Sequence, residues 1–448
     1  MPLINSLKPY SINATGKKTH IRWWLSALFF ILGVISYMDR ANLAIVAEPM
    51  MRDLSLNKIE FGLLVSVFSL GYALSQIPTG LCAERFGARN VITLALILWS
   101  TFTILTAVVS NYILLSIVRF LFGVGEAPIF PANGVFNAYW FQKTEKARAA
   151  GLLVAGTYFG PVIAPLLTVA ILTMFSWHMV FYVFGGIGLV AAIFWYICAR
   201  NKPEEHPWVS TQELELIKNG RTIEKNQQDT PAPWRNFIKR SDFWAVGLHY
   251  FFVGYLTVLF LVWLPSFLQE ARGFSMTHMG IGASFPWLTI CLTVLGGGVF
   301  SDYLLSKNYS SLAARGSLAL FGLAGFIIAI TGAAYTDNKV ITIIWLSAAL
   351  GLLGLPVVAS WAIAADKGRQ FGGSVSAWMN LWGNLGGVAS PLICGFLAQY
   401  FGWAVALMFN IVPIILAMLC WLIIKPDTPI TLPKSQLLDR SSDISVKE

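Results

Sequence analysis

Residues 36–46 read SYMDRANLAIV and directly follow WWLSALFFILGVI at 23–35. An acid, a base and an amide (Asp39, Arg40 and Asn42) therefore stand inside one of the most apolar stretches of the chain. In water they would need no explanation. In the hydrocarbon of a bilayer a charge costs at least roughly 2.5–3.5 kcal/mol on insertion scales. The stretch reads as a membrane span that keeps its charges for a purpose.

The rest of the chain agrees with that reading. It has 448 residues, 56% hydrophobic and 12% charged, where soluble domains carry about 25% charged residues. Hydropathy gives twelve windows of helix-spanning length. They lie near 22–44, 58–80, 90–109, 111–135, 147–171, 178–199, 242–268, 278–302, 312–333, 340–364, 371–396 and 402–424. Long continuous runs of this kind exclude the short alternating strands of a barrel. The expected fold class is an all-α integral membrane protein with twelve transmembrane helices in two six-helix bundles.

Between the sixth and seventh spans lies the one long polar stretch, charged and proline-containing, with TQELELIK at 211–218 as a short helix. The expected organisation is a cytoplasmic tail at 1–21, a first bundle at 22–199, a cytoplasmic linker at 200–241, a second bundle at 242–424 and a cytoplasmic tail at 425–448. The first 21 residues hold Lys8, Lys17, Lys18 and His20 and no apolar signal segment, so the first helix is expected to stay in the mature protein.

The formal charge of +9 is explained by topology and not by a nucleic-acid partner. With the N terminus inside, 25 of the 31 Lys and Arg fall on cytoplasmic segments or helix ends, and Arg40 and Arg119 are the two that lie well inside spans. That is the positive-inside rule. The five cysteines are scattered without CxxC spacing, so neither a disulfide framework nor a zinc site is expected. No Ser/His/Asp grouping, phosphate loop or metal cluster points to an enzyme.

The two halves resemble each other. GPVIAPLL at 160–167 matches GGVASPLI at 386–393, and FSW at 175–177 matches FGW at 401–403, all at an offset of 226. GLCAE at 80–84 and GVFSD at 298–302 repeat at an offset of 218. Several matches in register point to a duplicated six-helix unit, and such repeats place a substrate site near mid-membrane where the halves meet.

GLCAERFGARN at 80–90 fits Gly-x-x-x-Asp/Glu-Arg-x-Gly-x-Arg, which resembles the loop signature of the major facilitator superfamily. The resemblance implies gating roles for Gly80, Glu84, Arg85, Gly87 and Arg89. A narrower likeness rests on YMDRANL (37–43), SQIPTG (75–80), GVGEAPIFPAN (123–133), WFQKTEKARAAG (140–151) and NLWGNLGG (380–387). In this order they resemble the anion:cation symporters, which include galactonate, hexuronate, glucarate and phthalate carriers and the sialin group. That resemblance implies proton-driven uptake of a small organic carboxylate anion, with no cofactor beyond the coupling proton. A bacterial inner membrane and a functional monomer fit best.

The embedded charges suggest how. Asp39 and Arg40 lie on the first span, Arg119 and Glu126 on the fourth, and the corresponding spans of the second half hold none. Seven residues make almost two turns, so Arg119 and Glu126 share a face about 10 Å apart along the axis. Ionised, the four sum to zero. One proton leaves an excess positive charge that a carboxylate substrate neutralises. Asp39 and Glu126 are the expected proton-coupling acids and Arg40 the substrate anchor. Arg119 either touches substrate or holds Glu126; the bland alternative is that the charges merely join the two helices.

Further substrate contacts are expected from Tyr72 on the second helix, Trp361 on the tenth, and Asn380 and Asn384 on the eleventh. In the resembling sugar-acid carriers the tyrosine and the first asparagine match substrate-contacting residues. Those carriers usually show a glutamine where this chain has Thr157, which leaves room for a less hydroxylated acid. Competing readings are sodium or phosphate coupling, export, and a transporter-like sensor that signals through residues 200–241.

Overall fold

The structure is a computed structural model and describes residues 19–142, 144–220, 233–368 and 371–426. Most of the two expected tails and the stretch 221–232 of the expected linker lie outside the described residues. Twelve helices are long and apolar enough to cross a membrane, as the hydropathy windows predict, and this is a multi-pass membrane protein. The helices are α1 Ile21–Ile45, α2 Lys58–Phe86, α3 Ala88–Val108, α4 Tyr112–Trp140, α5 Arg148–Leu172 and α6 Trp177–Cys198. After them come α7 Ser241–Ala271, α8 Met276–Ser306, α9 Leu312–Tyr335, α10 Lys339–Gly368, α11 Gly372–Tyr400 and α12 Gly402–Cys420.

One boundary differs in an instructive way. The segment expected to be a loop after the second helix is helical up to Phe86. Gly80, Glu84 and Arg85 sit in the last turns of α2, and Gly87 alone separates α2 from α3. A hydropathy window measures apolar length, whereas the hydrogen-bond ladder continues into polar residues. Gly87 makes the turn at φ 82°, a left-handed conformation open to glycine at little cost.

The chain divides into two compact units: Met1–Leu56 with Leu63–Asp229, and Asn57–Gly62 with Thr230–Glu448. In the first unit α1 packs along α5. A β-carbon at Gly33 would lie 2.6 Å from the Leu153 carbonyl oxygen, and one at Gly160 would lie 2.7 Å from that of Val34. Only glycine permits this approach. In the second unit α7 packs along α11 in the same manner. There Gly386, the repeat partner of Gly160, meets the Phe251 carbonyl.

Each unit also joins an indole to a carboxylate. Trp177 Nε1 donates to Asp53 Oδ2 at 3.1 Å in the first, and Trp403 Nε1 donates to Glu270 Oε2 at 3.0 Å in the second. Within the second unit Glu270 also pairs with Lys58 at 2.8 Å.

The N-terminal end of α1 is tied down by the segment after α6. Thr211–Gly220 forms the expected short helix, and its Glu213 is fully buried. Glu213 accepts from the backbone N–H groups of Ile21 and Arg22 at 3.0 and 3.2 Å, which caps α1. It also takes the Arg22 guanidinium at 2.8 Å, while the other edge of that guanidinium forks onto Glu145 at 3.0 and 3.1 Å. The second unit shows the same plan with the signs exchanged. At the start of α7 buried Asp242 takes Lys367 at 2.7 Å and Arg240 at 2.8 Å.

Nearby, His206 accepts from the Trp208 N–H at Nδ1 (3.2 Å) and donates from Nε2 to the Cys198 carbonyl (3.0 Å). Burial pushes this imidazole below its ordinary range, so the folded state keeps it neutral. The unfolded chain takes up that proton below about pH 6.5, and this corner therefore loses stability as pH falls through that range, not as it rises.

Breaking a buried pair by removing one partner costs roughly 3–5 kcal/mol. Glu213→Ala is expected to lower the thermal transition of the detergent-solubilised protein by several degrees, with exposed Glu215→Ala as the silent control. Equal transitions for the two variants would show that the network adds nothing to stability.

Candidate functional site

In the first unit α1, α2 and α4 bring the embedded charges together. Glu126 is the last residue of the first part of α4, Tyr112–Glu126; Ala127 and Pro128 turn, and helix resumes over Ile129–Trp140. Pro128 has no N–H to give the carbonyl of residue 124, so the break falls directly after the acid. Gly123 and Gly125 let this part of α4 approach two neighbours at backbone distance. A β-carbon at Gly123 would stand 2.8 Å from the Tyr72 N atom, and one at Gly125 would stand 3.0 Å from that of Trp99.

Glu126 is paired across helices. Arg40 Nε donates to Glu126 Oε1 at 3.0 Å, and the Ser36 hydroxyl donates to the same oxygen. Of the two expected roles for Arg119, holding Glu126 is not what this geometry shows: the ion pair of Glu126 is with Arg40. Two turns of separation along one helix exceed the three or four residues at which side chains on a helix meet, while α1 faces Glu126 directly. Arg119 forms no ion pair among the described residues.

The arginines lie on aromatic surfaces. The Arg40 guanidinium carbon is 4.5 Å from the ring centres of Tyr37 and Tyr72 and 5.0 Å from that of Phe68. Arg119 lies 4.5 Å from the Phe122 ring and 5.4 Å from Phe68. Phe68 thus touches both cations, and Tyr72 holds one face of Arg40.

Asp39, Arg119 and Glu126 are at most 1% exposed. Both Asp39 carboxylate oxygens, Glu126 Oε2, Arg40 Nη2, Arg119 Nε and both polar atoms of the Asn42 side chain are buried with no hydrogen-bond partner. Buried polar groups are almost always satisfied, and this group combines unsatisfied atoms with ionisable side chains from α1 and α4.

Thr157 is buried on α5 beside Gly33, and its hydroxyl donates to the Val154 carbonyl at 2.6 Å. Its one donor is spent inside its own helix. The helix-end residues form a separate group. Glu84 and Arg85 are exposed, Gly80 faces the Pro131 ring, and the Arg89 guanidinium donates to the Tyr196 carbonyl at 3.1 and 2.8 Å.

The second unit offers a neutral set. Trp361, 38% exposed, donates from Nε1 to the Tyr250 hydroxyl at 2.8 Å, with the two rings edge to face at 83°. The Asn384 amide donates to the Asn380 carbonyl at 2.9 Å. No group of three His, Cys, Asp or Glu able to hold a metal ion occurs among the described residues.

Sequence reasoning missed Ser36 and Tyr250. For Ser36 a signal existed: it stands four residues before Arg40, on the same face of α1. Tyr250 carries no such mark, since an aromatic residue in an apolar helix is ordinary core.

The chain is similar to known transport proteins. The chain is 31% identical over 407 residues to the "Probable galactarate/D-glucarate transporter" of Bacillus subtilis, covering 88% of this chain and 89% of that protein. It is 30% identical over 398 residues to the D-galactonate transporter of an Escherichia coli strain (87% and 92%). With the "Probable sulfoacetate transporter" of Cupriavidus necator it shares 29% over 378 residues (83% and 87%). Among solved structures, an inward-facing, unoccupied bacterial homologue of the human lysosomal transporter Spinster superposes with a TM-score of 0.76. That match is 18% identical and covers 90% of this chain and 97% of that one, which speaks for the fold alone. The Major Facilitator Superfamily model matches residues 29–391, and the chain, a membrane transporter with twelve apolar helices, belongs to that family.

Proposed function

We propose that this protein is a secondary active transporter that takes up an organic carboxylate anion together with protons by alternating access. One observation carries the reading. A buried carboxylate, Glu126, pairs with a buried arginine, Arg40, whose Nη2 has no partner. The names of the relatives support an organic acid as cargo, since those proteins are described as carrying galactarate or D-glucarate, D-galactonate and sulfoacetate.

The cycle follows from charge. With Asp39, Arg40, Arg119 and Glu126 ionised the site is neutral, and Arg40 is held by Glu126. A proton on Glu126 removes the negative partner and frees the Arg40 fork for a substrate carboxylate, which restores neutrality. Asp39, buried without a hydrogen bond, is the second proton-coupling acid; it interacts electrostatically with both Arg119 and Glu126. Half-loaded states carry a net charge in a low-dielectric site and are costly to occlude. That cost couples the two fluxes.

The remaining roles follow the same scheme. Tyr72, Arg119 and Thr157 serve substrate in the first unit, and Trp361, Asn380 and Asn384 serve it in the second. Thr157 takes part through packing, because its donor is occupied. Gly80, Glu84, Arg85, Gly87 and Arg89 act in gating. The distribution of Lys and Arg supports cytoplasmic termini in a bacterial inner membrane, and a monomer contains every residue named.

Proteoliposomes with an imposed inward pH gradient test this. Labelled galactonate, glucuronate, glucarate, sulfoacetate or an aromatic acid is expected to accumulate, and a protonophore to abolish the accumulation. Asp39→Asn and Glu126→Gln should lose accumulation yet keep substrate counterflow. Accumulation driven by sodium alone overturns proton coupling, and binding without accumulation under any gradient overturns transport.

Arg40→Lys keeps the charge but loses the planar fork and its contacts with the Tyr37, Phe68 and Tyr72 rings. Its KM for the transported acid is expected to rise about tenfold or more, in line with losing a charge-assisted hydrogen bond. An unchanged KM removes Arg40 from the substrate site.

A further inference from the structure

Glu126 receives two donors on one oxygen and none on the other. Ser36 and Arg40 are one turn apart on α1, both donate to Oε1, and Oε2 is buried without a partner. We propose that Ser36 is a positioning residue for the proton acceptor: its hydroxyl fixes which oxygen of Glu126 faces Arg40 and which stays open to a proton. This rests on the reading of Glu126 as a proton-coupling acid.

The chemistry of a hydroxyl suits the role. Arg40 has donors only, so its bond to Glu126 loses strength once the carboxylate is neutral. Serine both donates and accepts, and it can hold Glu126 in either protonation state. Ser36 is itself fully buried, so water does not compete for the contact. It therefore keeps the carboxyl from turning while Arg40 exchanges partners.

The charged and titratable groups that face Glu126 are Tyr37, Asp39 and Arg40 from α1, Tyr72 from α2 and Arg119 from α4 itself. Helix α3, packed at Gly125 through Trp99, has Arg89 as its one ionisable residue, at its far end. None of these groups replaces a neutral hydroxyl, because each changes the local charge or is already engaged with Arg40.

The test is uptake by proteoliposomes of wild type, Ser36→Ala and Ser36→Thr, recorded against pH. Removing one of two donors from the ionised carboxylate should move the pH of half-maximal uptake upward by about one unit, the scale of a hydrogen bond to a charged group. KM for the acid at saturating proton concentration should stay unchanged, and Ser36→Thr, which keeps the hydroxyl, should restore the wild-type profile. A Ser36→Ala profile that coincides with wild type overturns the proposal. So does a loss of uptake that is equal at every pH, which would mark Ser36 as merely structural. Wild-type uptake indifferent to an imposed pH gradient would instead sink the coupling reading itself, and this inference with it.

Discussion

The first unit holds four ionisable side chains inside its apolar helices, and the Arg40–Glu126 contact is the one ion pair among them in the described residues. An isolated ion at that depth is expensive, and even a pair is favourable only when geometry and further hydrogen bonds satisfy it. The surrounding sequence serves this contact. Gly123 and Gly125 bring the backbone of α4 against α2 and α3. Pro128 stops the first part of α4 at Glu126, so the acid sits at a terminus and not in mid-ladder. Tyr37, Phe68 and Tyr72 surround the guanidinium with ring centres at 4.5–5.0 Å, and this cation is hydrated weakly enough to accept aromatic neighbours.

The duplicated architecture sharpens the point, because the two units share scaffold and differ in chemistry. Gly160 and Gly386 perform the same close approach, and Trp177 and Trp403 each bind a carboxylate. The buried ion pairs at the starts of α1 and α7 follow one plan with opposite sign, Arg22 with Glu213 against Asp242 with Lys367. At mid-helix the likeness ends. The first unit holds the acids and arginines, and the second presents indole, phenol and amide groups in Trp361, Tyr250, Asn380 and Asn384. Packing constraints act equally on both copies, whereas the proposed proton coupling needs its acids in one copy only.

What the sequence reveals and what it hides divide along the same line. Spans, the repeat and the charged helices are one-dimensional properties, carried by hydropathy and offset, and they are read directly. Partner choice is three-dimensional. The seven-residue spacing of Arg119 and Glu126 says that they share a face but not which helix lies opposite, so the pairing with Arg40 was invisible. A serine in an apolar helix most often bonds back to its own turn. Thr157 does that and Ser36 does not, and nothing in composition separates them. The end of α2 was misplaced because apolar length and helical length are different quantities. The helix at Thr211–Gly220 was legible, but the burial of Glu213 beneath α1 was not, since a glutamate in a polar segment carries no mark of its partner.

A partner exchange also explains why both arginines rest on rings. In the proposed cycle Arg40 must spend part of its time without Glu126 and before substrate arrives, and a bare guanidinium in a dry site is costly. Aromatic faces within about 6 Å give such a cation an attraction of roughly 0.5–2 kcal/mol each, independent of any proton. In the proposed cycle that attraction lowers the cost of the interval in which Arg40 holds neither Glu126 nor a substrate anion, an interval a carrier must pass through to turn over instead of merely binding.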